Sequence, residues 1–236
     1  MFKGMLSKVL FLDIETTPQQ ANYQHLDEMF KGLWDHKAKF LIKDPEKESP
    51  ESIYPRAGIY AEFGKIVCIS CGYVSQSGSL KIKSFYGDDE KSLLLSFCDL
   101  LNKHFNTLDH ILCAHNGKEF DFPYLCRRMV INEITIPGIL DIAGKKPWEV
   151  ALLDTMEMWR FGDYKSFTSL NLLAQILGIP SPKDDIDGSQ VWKVYWEDNN
   201  LERIVLYCQK DVITLAKIFL RLNQFPGIDD DRIEMV

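Results

Sequence analysis

Four consecutive apolar residues, Val9 to Leu12, run into Asp13, Ile14, Glu15, Thr16 and Thr17. An unbroken apolar run of this kind predicts a strand buried on both faces. Alternation along a strand puts residues two apart on one side, so Asp13 and Glu15 project together from its end. Gln19 to Lys43 has a helix-like scatter of apolar positions (Leu26, Met29, Phe30, Leu33, Trp34), and KDPEKESPESIYP after it reads as an irregular surface excursion. Gly64 to Val74 and Leu80 to Tyr86 predict two strands joined by a tight Gln-Ser-Gly-Ser turn, an antiparallel hairpin. Asp88 to Phe105 carries Leu93, Leu94, Phe97, Leu101 and Phe105 on one helical face.

Ile111 to Ala114 predicts a short buried strand, broken by Asn116 and Gly117, and Phe120 to Val130 a helix with Asp121 in its first turn. Ile136 to Pro147, with its prolines and glycines, reads as a loop, and Leu152 to Arg160 fits strand and helix equally. Ser166 to Leu177 predicts a short helix, and SPKDDIDGSQ a turn-rich loop. Asn200 to Asn223 predicts the longest helix, with Ile204, Val205, Val212, Leu215, Ile218, Phe219 and Leu222 apolar, and the acidic tail after Pro226 is expected to fray. Together these elements predict an α/β domain with a mixed sheet flanked by helices.

At 236 residues and 46% hydrophobic content, the chain is long enough for one large domain with its own core. No apolar run approaches membrane-spanning length, and the first apolar segment leads into acids rather than a cleavage site, so a cytoplasmic protein is expected. A net charge of −7 argues against a general nucleic-acid coat protein, whose affinity comes from neutralising phosphates. It leaves room for an enzyme that meets phosphate through metal ions. The cysteines lie mostly within apolar patterns, as reduced core thiols do, and Cys68-x-x-Cys71 lacks the second pair that a zinc site needs. Asp185, Asp187 and Gly188 imitate a calcium loop only superficially, because Lys183 and Val194 stand where acids are required.

Candidate chemistry begins with the paired carboxylates. Like charges that close repel, so one neutralises or both take a cation, and oxygen-only donors suit magnesium or manganese. Tyr207 and Asp211, four apart, share a helical face. Each feature also has an ordinary explanation: a strand ending in a polar turn, a first-turn acid favoured by the helix dipole for Asp121, a core aromatic for Tyr207. Asp154, Asp163, Asp184 and Asp185 are expected to be structural, and His115 to be a strand-end residue. Lys31, Lys37, Lys39, Lys43 and Lys47 fit a solvated face better than a basic rim.

In order along the chain, FLDIETT, HNGKEFDFPYL and YCQKD resemble the three motifs of the DEDD superfamily of exonucleases, with Asp13, Glu15, Asp121 and Asp211 as its four acids. Tyr207, four before the last acid, matches the tyrosine subclass, whereas the histidine subclass has His where Leu206 stands. The N-x-x-x-F-D form of the second motif is similar to the proofreading domain of family B DNA polymerases. The resemblance runs from Val9 to about Leu222, with the excursion at about 19–62 as its main departure.

What the resemblance implies is a ribonuclease-H-like fold with a mixed five-stranded sheet, in a single 3′–5′ exonuclease domain over residues 1–236. It also implies two Mg2+ or Mn2+ ions per site: Asp13 bridging both, Glu15 and Asp211 on the one that binds the attacking water, Asp121 on the other. Tyr207 then orients that water, and Thr16, Thr17, Asn116 and Phe120 surround the terminal nucleotide. The expected substrate is the 3′ end of DNA, single-stranded or frayed. The chain ends soon after the third motif, so a free-standing exonuclease is expected. A ribonuclease-D-type exoribonuclease shares the tyrosine pattern, since discrimination at the 2′-hydroxyl rests on few contacts. A non-catalytic nucleic-acid-binding module of the same fold predicts loss of an acid, and all four are present. Nothing in the residues indicates membrane association or names a protein partner.

Overall fold

The apolar run at Val9 becomes β1 (Val9–Pro18), with neighbours on both sides in a computed structural model that describes residues 6–180 and 186–236. Around it the sheet also contains β2 (Gly64–Val74), β3 (Leu80–Tyr86), β4 (Ile111–Ala114), β5 (Leu152–Asp154) and β6 (Ile233–Met235), in the order β5-β4-β1-β2-β3-β6. β1, β2 and β3 pair antiparallel, while β4 runs parallel to β1 and β5 parallel to β4.

Alternation along β1 sorts the core into two layers. Leu10, Leu12 and Ile14 pack against α2 (Glu90–His104) and α3 (Asp121–Ile131), in a core that includes Leu94, Phe97, Leu125 and Met129. Val9 and Phe11 face the other way, onto Val212, Leu215 and Phe219 of α7 (Leu201–Leu222). Phe11 and Phe219 meet edge to face at 5.2 Å. The acids two and four residues beyond Phe11 therefore also face α7.

Within the first layer a buried ion pair fixes α2 to α3. Arg128 donates to Glu90 at 2.8 and 2.5 Å and to the Ala61 carbonyl at 2.7 Å, while Glu90 also accepts from the Ile66 N–H at 2.7 Å. Burial of the pair is tolerated because these donors and acceptors are matched.

Two expectations are corrected. The tail does not simply fray: Ile233–Met235 joins the β3 edge in parallel and Val236 N–H donates to Ile82 at 2.9 Å, giving six strands rather than five. A three-residue strand is too short to show a period. The excursion is more than a surface loop. The helix expected within Gln19–Lys43 forms as α1 (Glu28–Ala38), but the stretch after it packs onto that helix in a satellite core where Trp34 and Tyr54 are fully buried and Trp34 Nε1 donates to the Pro50 carbonyl at 2.7 Å. Its end closes on β1, where a Cβ on Gly58 would lie 3.0 Å from the Thr17 backbone.

Leu152 to Arg160 holds both alternatives in succession, β5 and then α4 (Thr155–Arg160), with Asp154 capping the helix through Met156 N–H. Of the turn-rich loop, Lys183, Asp184 and Asp185 lie outside the described residues, and Gly188–Gln190 forms one 3-10 turn leading into α6 (Val191–Trp196). Lys31 pairs with Glu28 and Lys47 with Asp44, as on a solvated face. No helix among the described residues is long and apolar enough to cross a membrane.

Candidate active site

β4 pairs with β1 only from Val9 to Phe11, whereas β2 follows β1 to Pro18. Past Phe11 the β4 side of β1 therefore has no strand beside it, and the N-terminus of α3 fills that gap. Asp121, buried there, has its own N–H and that of Ile14 beside its carboxylate, where they favour its charged form. On the other edge the register slips between Glu15 and Thr16, which pair with Cys68 and Ile66 and leave Val67 as the extra residue. Such a bulge increases local twist and re-aims side chains, here beside the acids.

Asp13 and Glu15 meet α7. The Cys208 thiol lies 3.4 Å from both the Asp13 carbonyl and Oδ2, and ligand atoms of Asp13, Glu15 and Cys208 all lie within 4.8 Å of one another. One turn further along, Tyr207 donates its hydroxyl to Asp211. Glu15 and Asp121 are buried, while Asp13 and Asp211 keep partly exposed edges, so the cluster opens to solvent on their side.

The acids sense one another. Burial, followed by the charges of Asp121 and Asp211, pushes Asp13 well above the carboxylate range; burial, Asp13 and Asp211 do the same to Glu15. Asp121 is pushed up to about 7, by burial first, with the two backbone N–H groups opposing and Asp154 and Asp211 adding to the rise. Tyr207 is raised too, by burial and then by Asp211, Glu15 and Asp13, so it stays protonated at neutral pH. Thus the five residues predicted from the three motifs converge on one place.

Asp121 Oδ1 is buried without a hydrogen-bond partner, an uncommon state for a carboxylate oxygen and one that a cation would relieve. The surrounding donors are carboxylate oxygens, a set that fits a hard divalent ion. Cys208 is the soft exception, but burial raises its thiol well above the usual value, leaving it an S–H donor to Asp13 rather than a thiolate ligand. Its place beside Asp13 escaped the sequence reading, which put it in the core. The signal lay inside YCQKD, three residues before Asp211.

Asp154 has the structural role expected of it, and it shapes the second motif. Its carboxylate accepts from Asn116 N–H at 2.9 Å and Lys118 N–H at 3.1 Å, which holds Asn116 in a left-handed conformation at φ 60°. His115 likewise is bonded at the strand end, to Thr155 Oγ1 at 2.8 Å and the Thr168 carbonyl at 2.9 Å. Of the residues expected around a nucleotide, Thr16, Asn116 and Phe120 keep exposed surface. Thr17 is 0% exposed beneath the returning excursion, so it supports the strand end and has no surface for a ligand. A cavity of about 570 Å³ lies elsewhere, between Phe105, Ile139 and Trp148, and contains none of the acids.

Gly117 is required by space. A Cβ there would sit 2.3 Å from Ala114 Cβ and 3.3 Å from Asp121 Oδ2. Gly117→Ala is therefore expected to destabilise the chain by about 1–3 kcal/mol through overpacking, and to displace Asp121. Urea unfolding measures the first effect, and a native midpoint would contradict it.

Residues 59–234 match the family described as a predicted 3′–5′ exonuclease related to the exonuclease domain of PolB. That span includes Asp121, Tyr207 and Asp211, whereas Asp13 and Glu15 precede it. Among solved structures, the chain is similar to the family B DNA polymerase of the hyperthermophilic archaeon Pyrobaculum calidifontis, with 18% identity and a TM-score of 0.52. The likeness covers 90% of this chain but only 24% of the polymerase, and at that identity it speaks to the fold. It agrees with a ribonuclease-H-like arrangement of the mixed sheet. No curated protein matches the chain. With three quarters of its length matched, the chain belongs to the family of predicted 3′–5′ exonucleases related to the exonuclease domain of PolB.

Proposed function

We propose that this chain is a metal-dependent 3′–5′ exonuclease that hydrolyses the terminal phosphodiester of single-stranded or frayed DNA 3′ ends, within one catalytic domain. The observation that carries the reading is the convergence of Asp13, Glu15, Asp121 and Asp211, with one buried oxygen of Asp121 lacking any partner. These four carboxylates would hold two Mg2+ or Mn2+ ions. When bound, such ions supply Lewis-acid stabilisation at phosphorus and a deprotonated water at neutral pH.

The chain's own residues do the rest. Asp13, central to the cluster, is oriented by the Cys208 S–H. Tyr207 remains a phenol, so its task is to position the attacking water by hydrogen bonding rather than to remove its proton. Asp211 holds the Tyr207 hydroxyl in place. Thr16, Asn116 and Phe120 are the proposed contacts of the terminal nucleotide, at the end of β1 and at the start of α3.

Incubation of 3′- and 5′-labelled DNA and RNA oligonucleotides with magnesium, with manganese and with chelator tests the proposal. Mononucleotides released in sequence from the 3′ end of DNA, and only with metal, are expected. Release from the 3′ end of RNA alone would assign an exoribonuclease instead, and binding without cleavage would leave a non-catalytic module.

A further inference from the structure

Between α4 and α5 (Leu170–Ile176) the chain displays three large rings to solvent within seven residues: Phe161 is 84% exposed, Tyr164 84% and Phe167 67%. Single exposed apolar residues are ordinary, but three aromatics on one short loop are a concentrated apolar surface. The loop is held in shape. Arg160 Nε donates to the Ser166 carbonyl at 2.8 Å, and the Arg160 guanidinium lies 4.4 Å from the centre of the Phe167 ring. Phe161 closes α4 in the left-handed region at φ 46°, which bulky side chains seldom adopt.

Position gives the rings a purpose. His115 bonds the Thr168 carbonyl, so the loop is pinned to the end of β4 by the residue next to Asn116. α4 is capped by Asp154, which holds the Asn116–Lys118 turn from the other side. The aromatic loop is thus continuous with the edge of the acidic site. Its charged groups are mixed: Arg160 and Lys165 are cationic, Asp163 is acidic, and Lys118 is paired with Glu157 at 2.6 Å. With so little net charge, affinity there must come from the rings.

We propose that Phe161, Tyr164 and Phe167 form a stacking track for the unpaired nucleotides that lead to the 3′ end. The idea rests on the exonuclease reading and adds to it the side chains that hold the unpaired strand upstream of the 3′ end. Bases offer their π faces only when unpaired and unstacked, and stacking on exposed rings tolerates any base. A duplex presents edges and phosphates, which this loop is poorly equipped to hold.

The test is fluorescence anisotropy of labelled (dT)12 and (rU)12 in chelator, which needs no hydrolysis. The triple variant Phe161→Ala, Tyr164→Ala, Phe167→Ala should bind at least about tenfold more weakly than wild type, a modest estimate for losing three stacks. A blunt duplex of the same length should show no such loss. Because triple truncation removes packing from the loop, Tyr164→Trp supplies a second readout: added (dT)12 should quench its fluorescence beyond the wild-type change. Unchanged affinity in the folded triple variant, or no extra quenching in the tryptophan variant, overturns the track. If wild type binds through these rings but never cleaves, the exonuclease reading falls and the track stands; cleavage with unchanged variant affinity has the opposite meaning.

Discussion

Asp13→Ala is expected to lower 3′-end hydrolysis by about 10⁴-fold or more, roughly 5 kcal/mol of transition-state stabilisation, while the circular dichroism spectrum stays native. The expectation follows from position. Asp13 lies against Glu15 and Cys208 and senses the charges of Asp121 and Asp211, so no other side chain substitutes for it. The fold should tolerate the change because the carboxylate adds repulsion and not packing: Phe11 and Ile14, on either side, supply the apolar contacts. Single-turnover rates of variant and wild type decide the point. Residual activity within about tenfold of wild type, about 1.4 kcal/mol, is too small a loss for the central ligand of the site.

Tyr207→Phe is expected to reduce turnover by about 10²–10³-fold, roughly 2.7–4 kcal/mol, with little change in metal affinity. The substitution deletes one hydroxyl and keeps the ring, which packs beside the cluster containing Ile204 and Cys208. Burial and three neighbouring carboxylates hold that hydroxyl protonated, so the loss is of a positioned hydrogen bond and not of a base. The rate should accordingly show no ionisation step in the variant that differs from wild type. Full activity would return Tyr207 to the role of a core aromatic.

The elements legible in the chain were those with a strong period or run. β1 declared itself through four apolar residues, α7 through its long seam, and the hairpin through Gln-Ser-Gly-Ser between alternating strands. The five candidate residues that converge, Asp13, Glu15, Asp121, Tyr207 and Asp211, were legible because each sits in a short word whose neighbours constrain it. What was missed depends on contacts remote in sequence. β6 is three residues long and exists by pairing with β3. Thr17 carries a polar side chain at a strand end, and its burial comes from Gly58, 41 positions away, which the excursion lays on the β1 backbone. Cys208 looks like any core thiol until β1 and α7 are brought together.

The central claim, that four acids form one metal site, is measured most directly by thermal scans of wild type and Asp13→Asn in chelator and in saturating manganese. The folded-state pKa values of Asp13, Glu15 and Asp121 are raised, so the native chain retains protons that the unfolded chain releases. Stability from these groups is present below the ordinary carboxylate range and is lost as pH rises toward about 7 for Asp121 and through the raised values of the others. At pH 8, above the raised value of Asp121, its charge adds to the repulsion that no metal relieves in chelator. Manganese relieves it only in the native state and should stabilise wild type by about 2.7 kcal/mol at a hundred times Kd, a rise of a few degrees. Asp13→Asn removes one charge at nearly constant volume, so in chelator at pH 8 it should melt at or above wild type and lose less between pH 5 and pH 8, and its gain from manganese should shrink. A wild type indifferent to manganese, or a variant that melts lower in chelator and gains as much from the ion, would mean that these carboxylates do not form one metal site.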